Sequence, residues 1–220
     1  MMINMFSIFD PSTSSNFSLN WVVILFIFFL IPMNYWMIPS RYNMSFYLIT
    51  KFISNNTQNM MSKENKKLIL PIISLFWYIM LLNLSGLNPY IFTITTQINM
   101  TSILSISLWM TIMLYMWINK TNLMFAHLVP NGTPSLLANF MVLIETTSNL
   151  IRPITLCVRL TANMISGHLL LFLLSNMISL NPIMLSISMP VMMIMLSLEI
   201  AVAMIQSYVF MLLITLYMNE

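Results

Sequence analysis

The sequence predicts an all-α integral membrane protein: about five membrane-crossing helices plus one interfacial amphipathic helix, the last two spans forming a long inclined hairpin. Three observations carry that prediction. The 220 residues are 59% hydrophobic and only 6% charged, against about 25% charged in a soluble domain, so a water-facing surface cannot be built from them. Apolar stretches long enough to cross ~30 Å of hydrocarbon as helices recur along the chain, and mean hydropathy is +0.88. Only three glycines are present, which argues against a β-barrel or a loop-rich fold.

The same composition excludes several functions. The net charge of +3 is no nucleic-acid signal, because the eight Lys and Arg are few and sit mostly in loops. The single Cys157 excludes an internal disulfide and argues against a cysteine-based metal site. Twenty-five methionines beside three glycines and one cysteine point to codon bias in an AT-rich, mitochondrially encoded gene.

Taken in order, Met1–Asn20 lacks the positive n-region and small-residue cleavage site of a signal peptide. Phe17–Ile38 carries no charge over 22 residues and reads as the first span, with Pro32 and Trp36 near its exit. Arg41–Lys67 holds five of the eight basic residues. Its Arg41–Ile53 part mixes polar residues with Phe46, Tyr47, Leu48 and Phe52, as an interfacial helix does, and Ser54–Ser62 reads as a polar linker. The positive-inside rule places this segment on the matrix or cytoplasmic side and the N-terminus on the other. Leu68–Phe92 is the second span, closed by Asn88-Pro89. Ile98–Ile118 is the third, returning the chain to the positive side at Lys120 with Trp109 and Trp117 as interface anchors.

His127–Pro134 is rich in turn residues and launches the next helix, with Thr133 as N-cap and Pro134 at the first position. No stop follows until Asn181-Pro182, about 68 Å on if the helix is straight. The return segment Pro182–Met218 would be about 55 Å long. Neither fits upright, so either Pro153 and Pro190 break the helices or the pair is inclined. No internal repeat or second domain appears; residues 1–220 form one membrane domain, with the hairpin over 134–218.

Charge concentrates where lipid should penalise it. Glu145, Arg152 and Arg159 fall seven apart on one helical face, with Asn149, Leu156 and Asn163 beside them. Each central charge costs roughly 2.5–3.5 kcal/mol on insertion scales. A Glu145–Arg152 ion pair would account for Arg152 without a further role. Arg159 has no counter-charge nearby in sequence, so its partner lies elsewhere, and a guanidinium stays protonated and cannot relay protons. His168, about 180° around the helix from Arg159, can exchange protons. Glu199 has no basic residue in its own helix and shares a face with Gln206, seven residues on. Along the helix Glu145 lies about 21 Å from Arg159 on one side and His168 about 13 Å on the other. Two titratable groups at different depths around a permanent cation suit two separate aqueous paths.

Two stretches, Arg159-Leu-Thr-Ala-Asn163-Met-Ile-Ser-Gly167-His168 and Leu198-Glu-Ile-Ala-Val-Ala-Met-Ile-Gln-Ser-Tyr-Val-Phe210, resemble the a-subunit family of the mitochondrial F-type ATP synthase. The upstream spans fit as well, so the resemblance covers nearly the whole chain; Ser166 stands where Ala is common. The resemblance implies six helices, with the hairpin packed on the rotor ring. It implies that Arg159 is the arginine facing the ring carboxylate, keeping two half-channels apart. It further implies Glu145 on the matrix-side outlet, His168 and Glu199 on the intermembrane-space inlet, and Asn163 and Gln206 as polar neighbours of the arginine. The implied partners are the ring of subunit c, other membrane and peripheral-stalk subunits of the synthase, and the lipid bilayer; no nucleic acid is expected. The implied place is the mitochondrial inner membrane, with the N-terminus in the intermembrane space and the C-terminus in the matrix. The chain would be non-catalytic by itself, and no cofactor or metal is expected, because no Walker motif or ligand cluster appears.

A proton-pumping subunit of a respiratory complex is the alternative. It would carry Lys–Glu chains over many more spans and a quinone or haem site. A purely structural membrane scaffold would have no reason to keep Glu145, Arg159 and Glu199 in lipid.

Overall fold

The computed structural model describes residues 5–14, 17–32, 35–62, 65–88, 91–119, 121–129, 134–180 and 185–219. Among them every regular element is helical. Four helices are long and apolar enough to cross a membrane: Lys66–Gly86, Ile98–Asn119, Leu137–Asn176 and Ser188–Met218.

The first apolar helix is shorter than the sequence predicts. A 3-10 turn at Leu19–Val22 leads into α1, Val23–Leu30. Together they are roughly 20 Å long, short of a full crossing. Ile31 leaves the helix at φ −77°, ψ 119°. The cause is Pro32, whose ring crowds the preceding residue out of the α region. α1 runs antiparallel to α3, Ile69–Gly86: Trp21 meets Phe92 beyond the end of α3, and Phe28 meets Tyr78 at its middle. Ile27 is fully buried there with Leu82, Phe92 and Ile94.

α2 spans Arg41–Met60 and is capped by Ser40, whose hydroxyl accepts from the Asn43 N–H at 3.3 Å. It continues through the stretch read as a linker. Ser54 and Thr57 donate their hydroxyls to the Lys51 and Ser54 carbonyls, and Thr57 is fully buried below Ile53. The polar side chains thus feed the helix's own carbonyls, and the buried face continues through them. Phe46 stacks on Trp77 of α3 with ring centroids 3.8 Å apart, while Tyr47, Leu48 and Phe52 remain exposed.

α3 stops at Gly86, before the predicted end of the second span. Leu87 and Asn88 donate to the carbonyls of Leu84 and Ser85, tightening the last turn. Phe92 and Ile94 then fold back and are buried; Pro89 of the proposed exit turn lies outside the described residues. α4 is Ile98–Asn119, and a short helix the sequence reading did not assign, α5, follows at Thr121–His127. Trp117 packs edge-on against Phe125 of α5.

The hairpin is α6, Ser135–Leu180, and α7, Leu185–Asn219. α6 starts one residue after Pro134, whose carbonyl accepts from Leu137 at 2.9 Å; Thr133 and the Asn181-Pro182 turn lie outside the described residues. Neither Pro153 nor Pro190 ends its helix. α3 packs on α7 and α4 on α6. Ile72, Phe76 and Ile79 of α3 meet Leu156 and Leu160 of α6 and Phe210, Met211 and Ile214 of α7 in the main core. Cys157 lies at the α4–α6 contact, 3.4 Å from the Thr101 hydroxyl.

Candidate functional site

α6 carries its polar residues without breaking because each hydroxyl finds a carbonyl one turn back. Thr147 donates to Ile144, Thr155 to Arg152, Thr161 to Val158 and Ser166 to Asn163. In hydrocarbon such bonds replace those water would make. Pro153 lacks the N–H that would bond the Asn149 carbonyl, so that carbonyl is left unbonded along the helix.

Around that point lies a cavity of about 260 Å³, lined by Glu145, Asn149, Arg152, Trp109 and Tyr217 among others. Arg152 Nη2 is 3.9 Å from Glu145 Oε1, and the guanidinium lies 4.8 Å from the centroid of the Tyr217 ring. The ion pair left open by the sequence is present, and a cation–π contact ties it to α7. Arg152 is thereby committed to holding α6 against α7.

One to two turns beyond Arg159 lies a second cavity, of about 160 Å³, bounded by α6, α7 and α3. Glu199, Asn163, Gln206 and Gly167 line it. Asn163 Nδ2 donates to Gln206 Oε1 across the hairpin at 3.3 Å. Gly167 sits directly against the Glu199 side chain: a Cβ there would lie 2.9 Å from its carboxyl carbon and 3.1 Å from Cγ. Only a residue without a side chain lets the carboxyl lie this close to α6. His168, one residue on, is partly buried, its Nε2 enclosed without a partner among the described residues; it does not line this cavity.

Arg159 stands between the two cavities and belongs to neither. Its side chain is exposed on the outer face of α6 beside Ile151, Ile154 and Val158, and makes no hydrogen bond or ion pair with the described residues. The structure therefore groups Glu199, Asn163, Gln206 and Gly167, groups Glu145 with Arg152, and leaves Arg159 facing outward. Asn83 of α3, which the sequence reading passed over, lines the Glu199 cavity. The signal for it was a lone amide in the interior of the second span. Among the described residues no three His, Cys, Asp or Glu side chains gather as a metal site would need. Chemically the arrangement separates two carboxyl-bearing cavities, whose groups can take up and release protons, by a cation that cannot.

The ATP synthase A chain family model matches residues 16–219. The chain is 50% identical over 230 residues to an ATP synthase subunit a of Drosophila melanogaster, covering 100% of this chain and 99% of the relative. It is 50% identical over 232 residues to that of Anopheles gambiae and 48% identical over 223 residues to that of Locusta migratoria, with the same coverage. A match over nearly the full length, on a helical membrane fold with these two cavities, leads to one assignment. The chain belongs to the ATP synthase A chain family.

Proposed function

We propose that this chain is the proton-conducting stator subunit of the F-type ATP synthase membrane sector, working against a rotor ring of c subunits in the mitochondrial inner membrane. One observation supports this above the rest: two carboxyl-bearing cavities lie on either side of an outward-facing Arg159 that pairs with none of the described residues. A proton enters through the cavity of Glu199, aided by His168, and passes the Asn163–Gln206 pair to neutralise a carboxylate on the ring. After the ring turns, it leaves by the cavity of Glu145. Arg159 attracts the ionised ring carboxylate where it must pass without a proton. Each proton falling through ~100 mV delivers about 2.3 kcal/mol to the rotation. The basic segment at Arg41–Lys67 faces the matrix, the C-terminus lies on that side, and the N-terminus lies in the intermembrane space. Gln97, immediately before α4, donates to the Phe9 carbonyl at 2.7 Å, which supports this orientation because it ties the N-terminal segment to the side where α3 ends and α4 begins, away from the basic residues. The chain itself catalyses no bond making, and ATP is formed elsewhere in the complex. A proton-pumping subunit of a respiratory complex is not favoured, given the family.

The test is Arg159→Gln in the assembled complex, reconstituted in vesicles. Proton-driven ATP synthesis is expected to fall by roughly tenfold or more, with normal assembly and a raised passive proton leak. Near-normal synthesis with no added leak would reduce Arg159 to a structural residue and remove the centre of the proposal.

A further inference from the structure

Away from both cavities of the hairpin, α2 and the foot of α3 enclose an open groove of about 500 Å³. Its chemistry changes along its length. On the 3-10 turn Asn65–Leu68 that leads into α3 stand Lys66 and Lys67, both exposed. Further up α3, Leu70, Ile73 and then Trp77 form an apolar wall, and Phe46 of α2 lies stacked on the Trp77 ring. The Thr50 and Ser74 hydroxyls on the groove donate to the Tyr47 and Pro71 carbonyls of their own helices, so the two lysines are its charged groups. No carboxylate among the described residues lines it, and the segment 41–67 holds five basic residues against Glu64 alone. Lys66 opens the membrane-crossing stretch Lys66–Gly86. Trp77 stands ten residues beyond Lys67, about 15 Å along an upright helix. That is half of a ~30 Å hydrocarbon core, the depth of one leaflet.

We propose that this groove binds one anionic phospholipid from the leaflet on the basic side, its phosphate at Lys66 and Lys67 and one acyl chain laid over Leu70 and Ile73 toward Trp77. Lipid wets any span without preference. Here two cations stand at the mouth of a concave apolar wall one leaflet deep, and together they select an anionic head joined to a hydrocarbon chain. The lysine stems are long enough to keep their ammonium groups at the headgroup level while their methylenes extend the wall. A free phosphate would gain nothing from that wall. The bound lipid adds to the Phe46–Trp77 stack in holding the interfacial helix α2 on α3. This inference goes beyond the proton path and does not depend on it.

The experiment places the assembled complex in phosphatidylcholine vesicles with a trace of phosphatidylglycerol that carries a photoreactive group on one acyl chain. Phosphatidylcholine bearing the same group is the control probe, and cross-links on this chain are mapped by peptide mass spectrometry. Each lysine beside an anionic head is worth about fivefold in affinity, so the anionic probe is expected to label residues 70–77 roughly 25-fold more than the control. Lys66→Gln with Lys67→Gln should abolish that preference, and Lys66→Arg with Lys67→Arg should keep it. Equal labelling by the two probes in the native complex overturns the proposal, as does a preference that survives both Gln substitutions. Displacement of the probe by inorganic phosphate would mark a free-anion site and overturns it too. Labelling by neither probe means that a neighbouring subunit fills the groove, and sinks it as well. Should the Gln pair fail to assemble, the two probes on the native complex and the Arg pair decide alone.

Discussion

Gly167 has the least side chain of any residue at the site and one of the tightest constraints. Within α6 an alanine would normally stabilise the helix by about 1 kcal/mol, yet its Cβ would collide with the Glu199 carboxyl group. That group ends a flexible side chain, so the expected outcome of Gly167→Ala is a displaced carboxyl, intact assembly and reduced proton flux. Flux per assembled complex measures it; full flux would mean that the seat of Glu199 against α6 does not matter. Arg152 offers the opposite contrast. Its pair with Glu145 is partly exposed and 3.9 Å long, so a double-mutant cycle of Glu145→Gln and Arg152→Met on thermal stability should give a coupling below about 1 kcal/mol. Coupling of several kcal/mol would show that the pair is a structural keystone. At this scale the sequence was informative where charges repeat every seven residues, because helical periodicity alone puts Glu145, Arg152 and Arg159 on one side. It could not distinguish Arg152, held by Glu145 and Tyr217, from the outward-facing Arg159, since that depends on Tyr217 arriving from α7. Asn83 went unnoticed because an uncharged amide in a span gives a weak signal until its neighbours are known.

Among the elements, long apolar helices were legible and their ends were not. α6 runs 46 residues through Pro153, about 69 Å by the helical rise. Such a helix enters a bilayer with a ~30 Å core only by steep inclination. Proline costs a helix one bond and some strain, and the extensive contacts of α6 with α4 and α7 outweigh that loss. α2 outlasted its sequence reading because polar residues in Ser54–Met60 bond to their own helix, which composition cannot reveal. α1 fell short of its reading because one proline acts on the residue before it. The Ser40 cap is directly testable. Ser40→Ala should remove about 1 kcal/mol from the start of α2, seen as roughly fivefold faster amide exchange confined to the first turn. Unchanged exchange there would mean that packing of Phe46 on Trp77 holds the turn unaided.

At the scale of the whole molecule, the hairpin presents a broad apolar surface, with Ile151, Ile154, Val158, Leu198 and Ile205 all more than half exposed. The sequence foretold its hydrophobicity but not which side would remain uncovered, because that depends on how α3 and α4 occupy the other side. The buried Cys157 is the only native thiol, so Val158→Cys introduces a single accessible one next to Arg159. A lipid-soluble maleimide should label it readily in the isolated chain and poorly in the complete synthase; equal labelling would place the rotor elsewhere.

Arg159 also has a consequence for the life of the chain before assembly. On the proposal above, a newly inserted copy holds Arg159, which pairs with none of the described residues, on a face that the rotor would otherwise cover, at a cost of roughly 2.5–3.5 kcal/mol in lipid, about a hundredfold in equilibrium terms. On the proton-channel proposal, docking on the rotor would remove that cost, so an unassembled copy would be the less stable one in the membrane. In a pulse–chase without rotor subunits, Arg159→Leu should outlive the native chain; equal half-lives would mean that turnover reads some other feature.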